Sequence, residues 1–299
     1  MILSVVNGIA ADSLPLTDRG GAYGHGLFET ILLHNGVLPL RQLHSERLLR
    51  DAPTLGINIT AEQLETNLEC NLECNLETHL ESNIASLLHG LNPEQRQSGI
   101  VKMIVTAGSG GRGYASPAVA EAAPRIIGQY FSLPHDLQIQ RQQGISLTEC
   151  DYRLPLNPFL AGIKHLNRLD QVMARAEWAD EYDDGMMFSA DGSLIETTRA
   201  NLFIKLSGGW VTPGLDQAGV RGVMRELLIN RLFTSAGLNV MQTTVSREQL
   251  STAVEMFTCS SVRGIVPVIS AASTGTLAIG SDTRLLQSAL QNNYQGFPC

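Results

Sequence analysis

Gly162-Ile163-Lys164-His165-Leu166-Asn167-Arg168-Leu169 decides how this chain is read, taken with Glu196 further along and the glycine-bracketed run Gly219-Val220-Arg221-Gly222. The chain has three lysines. Lys102 sits in the strand-like run Ile100-Val101-Lys102-Met103-Ile104-Val105, and Lys205 ends a strand before the turn Ser207-Gly208-Gly209. Lys164 alone falls on a loop, where a reactive amine is useful. Apolar Leu160, Ala161, Gly162 and Ile163 precede it, and burial among such residues favours the neutral amine. A helix expected over Asn167–Tyr182 anchors the loop.

Glu196 follows Ser193-Leu194-Ile195 on a short predicted strand. A helix expected over Val220–Ser235 opens at the glycine-bracketed run, and its first N–H groups and positive dipole end suit an anion. A loop lysine, a strand carboxylate and a helix N-terminus are together what a pyridoxal phosphate site requires. The lysine forms the Schiff base, the acid keeps the pyridine nitrogen protonated, and the helix end takes the phosphate. Each residue also has a plainer reading: a solvated lysine, a surface glutamate, and a helix start such as every helix has.

Composition sets the frame. At 299 residues the chain is long enough for two domains, each with its own core. A formal charge of −8 argues against nucleic acid or an anionic membrane surface as partner, although an anionic substrate needs only a local group of arginines. The five cysteines, Cys70, Cys74, Cys150, Cys259 and Cys299, include no zinc or redox spacing, so no metal is expected and reduced thiols in a cytoplasmic protein are. The N-terminus opens on a short apolar run with no basic region, and the reading expects neither signal peptide nor membrane span.

Leu27–Leu33, Asn35-Gly36 and Val37–Leu40 read as a β-hairpin, because Asn-Gly tolerates the positive φ angles of a type I′ turn. Arg41–Asp51 reads as a helix ended by Pro53. The tandem Asn67-Leu68-Glu69-Cys70, Asn71-Leu72-Glu73-Cys74, Asn75-Leu76-Glu77-Thr78 spaces leucines like one helical stripe, as a short duplication that lengthens a surface helix over residues 60–90 would. Strands are expected at Gly99–Ala107 and Arg125–Ser132. A linker around Leu133-Pro134-His135-Asp136 then divides a smaller α+β domain, residues 1–132, from a larger one, residues 137–299, that carries the lysine.

Gly108-Ser109-Gly110-Gly111-Arg112-Gly113 matches the spacing of a dinucleotide-binding turn, but Pro117 and Pro124 interrupt the downstream segment and no acid closes a second strand. A loop that carries Arg112 and Tyr114 to a ligand is the alternative, since guanidinium suits bidentate carboxylate recognition. An exposed glycine-rich turn with a solvated arginine is the plain reading.

Four ordered runs carry a resemblance: Thr17-Asp18-Arg19-Gly20-Gly21-Ala22-Tyr23-Gly24-His25-Gly26-Leu27-Phe28-Glu29-Thr30, the lysine run, Glu196-Thr197-Thr198-Arg199-Ala200-Asn201-Leu202-Phe203, and Thr212 through Gly222. Together they resemble the fold type IV pyridoxal phosphate enzymes, and most closely the 4-amino-4-deoxychorismate lyases among them. The resemblance spans nearly the whole chain outside Glu62–Gly90. It implies a two-domain α+β fold like that of D-amino acid aminotransferase, with Lys164 as the Schiff-base lysine and Glu196 as partner of the pyridine nitrogen. It implies phosphate contacts from Arg47, from the backbone of Val220 and Arg221, and from Ser261, although the sequence at Ser261 departs from the usual Ser-Gly-Thr.

It further implies a homodimer in the folate-precursor route, whose members release 4-aminobenzoate and pyruvate from a small substrate with two carboxylates. Arg112, Tyr114 and Arg168 are the candidates to bind that substrate, against structural salt bridges for the arginines. A D-amino acid or branched-chain aminotransferase on the same scaffold is the alternative activity, and a non-catalytic cofactor-binding protein a second.

Overall fold

The computed structural model describes residues 3–57, 76–117 and 123–298. The chain divides into two compact units, Met1–Leu133 with Lys164–Asn167, and Pro134–Ile163 with Arg168–Cys299. The sequence reading puts the lysine in the C-terminal domain. Here the four residues Lys164–Asn167 group with the first unit, because their backbone extends its sheet: Phe28 N–H donates to Lys164 O at 3.0 Å and Leu166 N–H to Gly26 O at 2.9 Å.

The first unit is built on an antiparallel five-stranded sheet. Its strands are β1 (Ser4–Val6), β2 (Ile9–Ala10), β3 (Gly26–His34), β4 (Ser98–Thr106) and β5 (Arg125–Phe131), in the order β2-β1-β5-β4-β3. Alternation does the sorting. Leu27, Ile31 and Leu33 of β3 and Val101, Met103 and Val105 of β4 are buried on one face. Asn35 and Gly36 adopt the positive φ angles expected of them, 50° and 76°. The hairpin itself is different: Val37 makes one isolated bridge to His34, and β3 takes β4 as partner along its whole length. Pro39 explains this, since it has no N–H to give a ladder.

Two short helices matter for the site. α1 (Arg19–Tyr23) is capped by the Asp18 side chain, and α2 (Arg41–Asp51) covers the sheet. His44, Arg47, Leu48 and Asp51 form the buried face of α2, at the i, i+3, i+4, i+7 spacing of one helical stripe. α3 (Leu76–Gly90) lies on the sheet with Leu80, Ile84 and Leu87 buried. Most of the leucine-repeat segment lies outside the described residues.

The second unit holds a mixed sheet of nine strands: β6 (Ile145–Leu154), β7 (Asp184–Ser189), β8 (Leu194–Thr197), β9 (Asn201–Leu206), β10 (Gly209–Pro213), β11 (Val240–Thr243), β12 (Glu255–Ser260), β13 (Gly264–Ala271) and β14 (Gly275–Thr276). Eight run in the order β11-β10-β9-β12-β13-β6-β7-β8, and β14 pairs with β13. Pairing is antiparallel except at β10–β11, β13–β6 and β6–β7. Two apolar clusters fill this unit. One includes Leu147, Met186, Phe188, Leu202, Val266 and Val268, and a second gathers Cys150, Trp178, Met187 and Ile195. Phe203 adds a stack with Phe257, ring centroids 4.9 Å apart, in the geometry aromatic pairs prefer.

Two helices end differently from the sequence reading. α4 (Leu169–Arg175) is far shorter than the expected Asn167–Tyr182, because the Arg175 guanidinium turns back onto the carbonyls of Trp178 and Ala179 while Trp178 buries its ring. α5 (Val223–Leu227) begins three residues after Val220 and passes into a π-turn over Leu228–Leu232. Cys150 and Cys259 are free and buried. Burial pushes the Cys150 thiol up to about 12 and raises that of Cys259 further, so neither is a reactive thiolate.

Candidate active site

In the first unit Lys164 is half-buried, and its ammonium lies 4.4 Å from the centroid of the Phe28 ring. Phe28 projects from the opposite face of β3 to Leu27 and Glu29, which makes it a platform for cations. Lys102, from β4, lies over the same ring at 5.3 Å. The sequence reading gives Lys102 no role beyond its strand, yet Lys102 faces Thr30 across the β3–β4 ladder, two residues from Phe28 and on its face of the sheet. The lysine segment fits closely because Gly26 carries no side chain. A Cβ there would stand 2.7 Å from Leu166 Cδ1.

Beneath β3 lies a buried ionic group. Glu29 is in phase with Leu27, Ile31 and Leu33, and so a carboxylate occupies the core side of the sheet. It accepts from Arg47 Nε at 2.8 Å and from Arg47 Nη2, and it bonds His44 Nδ1 at 2.5 Å. Burial alone would raise the Glu29 pKa, but the Arg47 guanidinium and then His44 outweigh it and hold the carboxyl at about 2. Burial lowers the His44 pKa, with Arg47 and Lys164 adding to the fall against the pull of Glu29. His44 is therefore neutral near pH 7, with Nδ1 as donor to Glu29, and its Nε2 is buried with no protein partner among the described residues.

In the second unit Glu196 is buried on β8. Its Oε2 accepts the Val220 N–H at 2.9 Å, and the Gln171 amide approaches Oε1 at 3.4 Å. Gly219 makes this possible. With φ at 85°, its missing side chain leaves space that a Cβ would fill, 2.6 Å from Ile195 Cγ2 and 3.3 Å from Glu196 Oε2. The turn is locked to the chain just before the lysine: Gly162 N–H donates to Gly219 O at 2.8 Å and Arg221 N–H to Gly162 O at 2.9 Å. Asn201 Nδ2 adds a bond to Val220 O at 2.9 Å. Arg225, buried in α5, ties that helix to the end of β10 through Pro213 O at 2.9 Å.

The phosphate expectation for the backbone of Val220 and Arg221 changes accordingly. Both N–H groups are already given to protein acceptors, and the helix end proper starts at Val223 with Gly222 as N-cap and no side-chain cap. Ser261 is half-buried in the turn after β12. Arg168 is half-buried. Burial lowers its pKa against the opposing pull of Glu196 and Asp170, and its Nη2 reaches Ile163 O at 3.4 Å. Arg112 and Tyr114 are exposed on the loop after β4. Sequence reasoning missed Glu29, His44 and Gln171. The available signal was a carboxylate in phase with the apolar side of a strand, and a histidine one helical turn before Arg47.

Taken unit by unit, the chemistry of these residues fits parts of pyridoxal phosphate. Lys164 supplies an amine on an aromatic face, and Glu196 a buried carboxylate fixed in orientation. Arg47 is a buried guanidinium with a counterion, and the neighbouring His44 Nε2 is a buried polar atom that lacks a protein partner among the described residues.

The family model for amino-transferase class IV matches residues 26–271. An aminodeoxychorismate lyase of Vibrio harveyi is 34% identical over 289 residues, covering 95% of this chain and 98% of that protein. A D-alanine aminotransferase of Bacillus licheniformis is 25% identical over 283 residues, covering 94% and 92%. The crystal structure of 4-amino-4-deoxychorismate lyase from Pseudomonas aeruginosa superposes with a TM-score of 0.83 at 37% identity, covering 97% of this chain and 98% of that one.

Proposed function

This chain belongs to the amino-transferase class IV family, whose members depend on pyridoxal phosphate, and on that premise we propose that it converts 4-amino-4-deoxychorismate to 4-aminobenzoate and pyruvate, a step toward folate. The observation that carries the reading is full-length likeness to two such lyases, at 34% and 37% identity, against 25% for the aminotransferase. The loop run Gly111-Arg112-Gly113-Tyr114 and the run Lys164–Arg168 support it.

Lys164 would hold the cofactor as its Schiff-base lysine, Glu196 would take the pyridine N–H, and Arg47 would meet the phosphate. His44, through Nε2, is a neutral acceptor beside Arg47. Ser261 and the turn at Val220–Arg221 complete the set, the turn by fixing Glu196 rather than by presenting free N–H groups. When bound, the cofactor supplies an electron sink for the pair left at the substrate's C4. The Lys164 amine removes the C4 proton, and the Phe28 ring beneath it keeps it in place. Loss of that proton lets the enolpyruvyl oxygen leave the neighbouring carbon, the ring becomes aromatic, and the departing enolpyruvate takes up a proton to become pyruvate. Arg112 and Arg168 bind the two carboxylates, with Tyr114 beside Arg112. Lys102 adds positive charge on the Phe28 face.

We also infer a cytoplasmic homodimer. Leu169, Val172 and Met173 of α4 are exposed at helical i, i+3, i+4 spacing, an apolar stripe suited to a second copy. No helix among the described residues is long and apolar enough to cross a membrane.

The test is a direct comparison on the holoenzyme. With 4-amino-4-deoxychorismate, 4-aminobenzoate and pyruvate should appear in equal amounts. With D-alanine or a branched-chain amino acid plus 2-oxoglutarate, turnover should be far slower. Sustained transamination that exceeds 4-aminobenzoate release would reassign the chain to the aminotransferases.

A further inference from the structure

The residues Thr17-Asp18-Arg19 carry a dense set of hydrogen bonds in the first unit. Arg19 is 4% exposed although it carries a full charge. A guanidinium so deeply buried needs acceptors, and it finds them in one place. Nη1 donates to Gly110 O at 3.2 Å and Gly113 O at 3.1 Å, and Nη2 to Tyr114 O at 3.3 Å. These carbonyls bracket Arg112. Nε donates to His25 Nδ1 at 3.2 Å, so His25 carries its proton on Nε2 and gives it to Leu55 O at 2.7 Å. The planar fork of donors is therefore fixed from behind and spent on the loop in front.

The base of the loop is held separately. Arg19 N–H donates to Gly108 O at 2.7 Å, Asp18 bridges Ser109, and Thr17 Oγ1 donates to Ser109 Oγ at 3.1 Å. The buried Asp18 carboxylate in turn takes Thr106 Oγ1 at 3.0 Å and pairs with Arg125. On the far side Tyr23 and Tyr114 meet, centroids 5.6 Å apart, with the Arg19 guanidinium 4.9 Å from the Tyr23 ring. Gly108, Gly110, Gly111 and Gly113 all have positive φ. A backbone so rich in glycine loses more freedom on ordering than any other, and it does not hold one shape without outside bonds.

We propose that Arg19 is the positioning residue of the Gly108–Tyr114 loop: its buried fork fixes the three carbonyls around Arg112 and so presents the Arg112 guanidinium to a substrate carboxylate in one geometry. The role of Arg19 rests on the substrate-binding role proposed for Arg112, and the variants below separate the two.

Holoenzyme carrying Arg19→Gln or Arg19→Lys is compared with Arg112→Gln and with the double variant Arg19→Gln/Arg112→Gln. Tryptic cleavage after Arg112, followed by peptide mass, reads loop order without any substrate. It should quicken about tenfold in Arg19→Gln, and less in Arg19→Lys, which keeps the charge but not the fork. KM for 4-amino-4-deoxychorismate should rise about tenfold in Arg19→Gln and in Arg112→Gln, with kcat and the cofactor absorbance unchanged and the double variant no worse than Arg112→Gln alone. Unchanged cleavage after Arg112, additive effects in the double variant, or loss of cofactor absorbance in both Arg19 variants would overturn the proposal. Faster cleavage in Arg19→Gln with a normal KM in Arg112→Gln would uphold the clamp and overturn the substrate role of Arg112.

Discussion

Glu29→Gln removes the charge that holds Arg47 in the first unit, and its cost can be worked from the geometry. The carboxylate is 1% exposed and satisfies two donors of the Arg47 guanidinium as well as His44 Nδ1. Its folded pKa of about 2 lies below the ordinary 4.5. A carboxyl with a lowered folded pKa stabilises the protein above its unfolded pKa, and that contribution is lost as pH falls from 4.5 toward 2. At about 1.36 kcal/mol per pH unit the difference between 4.5 and about 2 is about 3 kcal/mol. Removal of one partner from a buried ion pair costs about 3–5 kcal/mol by an independent route. Glutamine still accepts one bond, so about 3 kcal/mol at pH 7 is the expected loss.

Urea unfolding of both proteins, repeated between about pH 5 and pH 3, spans the range where the Glu29 carboxyl takes up its proton in the unfolded chain. The wild-type advantage should narrow steadily with acid, because the wild type loses what the variant never had. Cofactor affinity should fall as well, since Arg47 loses its orientation. A deficit at pH 7 of less than about 1 kcal/mol, the scale of an exposed pair, would refute the reasoning. So would a deficit that stays constant down to pH 3.

Lys164→Ala should lower lyase turnover by about 10²–10⁴-fold, and borohydride should fix a pyridoxyl label on Lys164 of the wild type. A label on Lys102, which shares the Phe28 ring, would assign the wrong amine to the chemistry. Gly219→Ala places a Cβ against Ile195 and Glu196 at a φ of 85°, so it should cost about 1–3 kcal/mol and shift the cofactor absorbance band. A normal spectrum would show that Glu196 does not need this turn. Val172→Asp with Met173→Asp should convert a dimer to monomers by sedimentation velocity, and an unchanged mass would move the interface elsewhere.

The candidate residues that sequence places on the right elements are those whose setting is local. Glu196 sits on a short strand, and Arg47 lies on the inner face of the α2 helix. What sequence missed is the partner of each. Arg47 finds Glu29 across 18 positions, and Thr106 finds Asp18 across 88, and no local periodicity predicts such pairings. The hairpin expectation failed for a related reason. Asn35-Gly36 dictates a turn, but the strand that completes the ladder comes from Ser98–Thr106, and a nearby Pro39 removes the local competitor. The helix start was misplaced because Gly219 and Gly222 bracket two different things. The first relieves a turn packed on Glu196, and only the second caps a helix.

The run Thr17–Thr30 reads as a single signature, yet its residues answer to separate physical demands. Asp18 caps α1, accepting the Gly20 N–H at 2.8 Å, and its other oxygen anchors Thr106 and Arg125. Arg19 turns away from the sheet to hold loop carbonyls. Gly26 lets Leu166 approach, Phe28 carries the ammonium of Lys164, and Glu29, one residue on and therefore on the opposite face, neutralises Arg47. A shift of β3 by one residue against the sheet would exchange Phe28 and Glu29, leaving Lys164 over a carboxylate and Arg47 buried without one. That register is held by the full-length β3–β4 ladder from Gly26 to His34. The ladder that builds the sheet is thus what sorts Lys164 and the Glu29–Arg47 pair onto opposite faces, and a proline placed in β4 at Met103, opposite Glu29, should disturb both together.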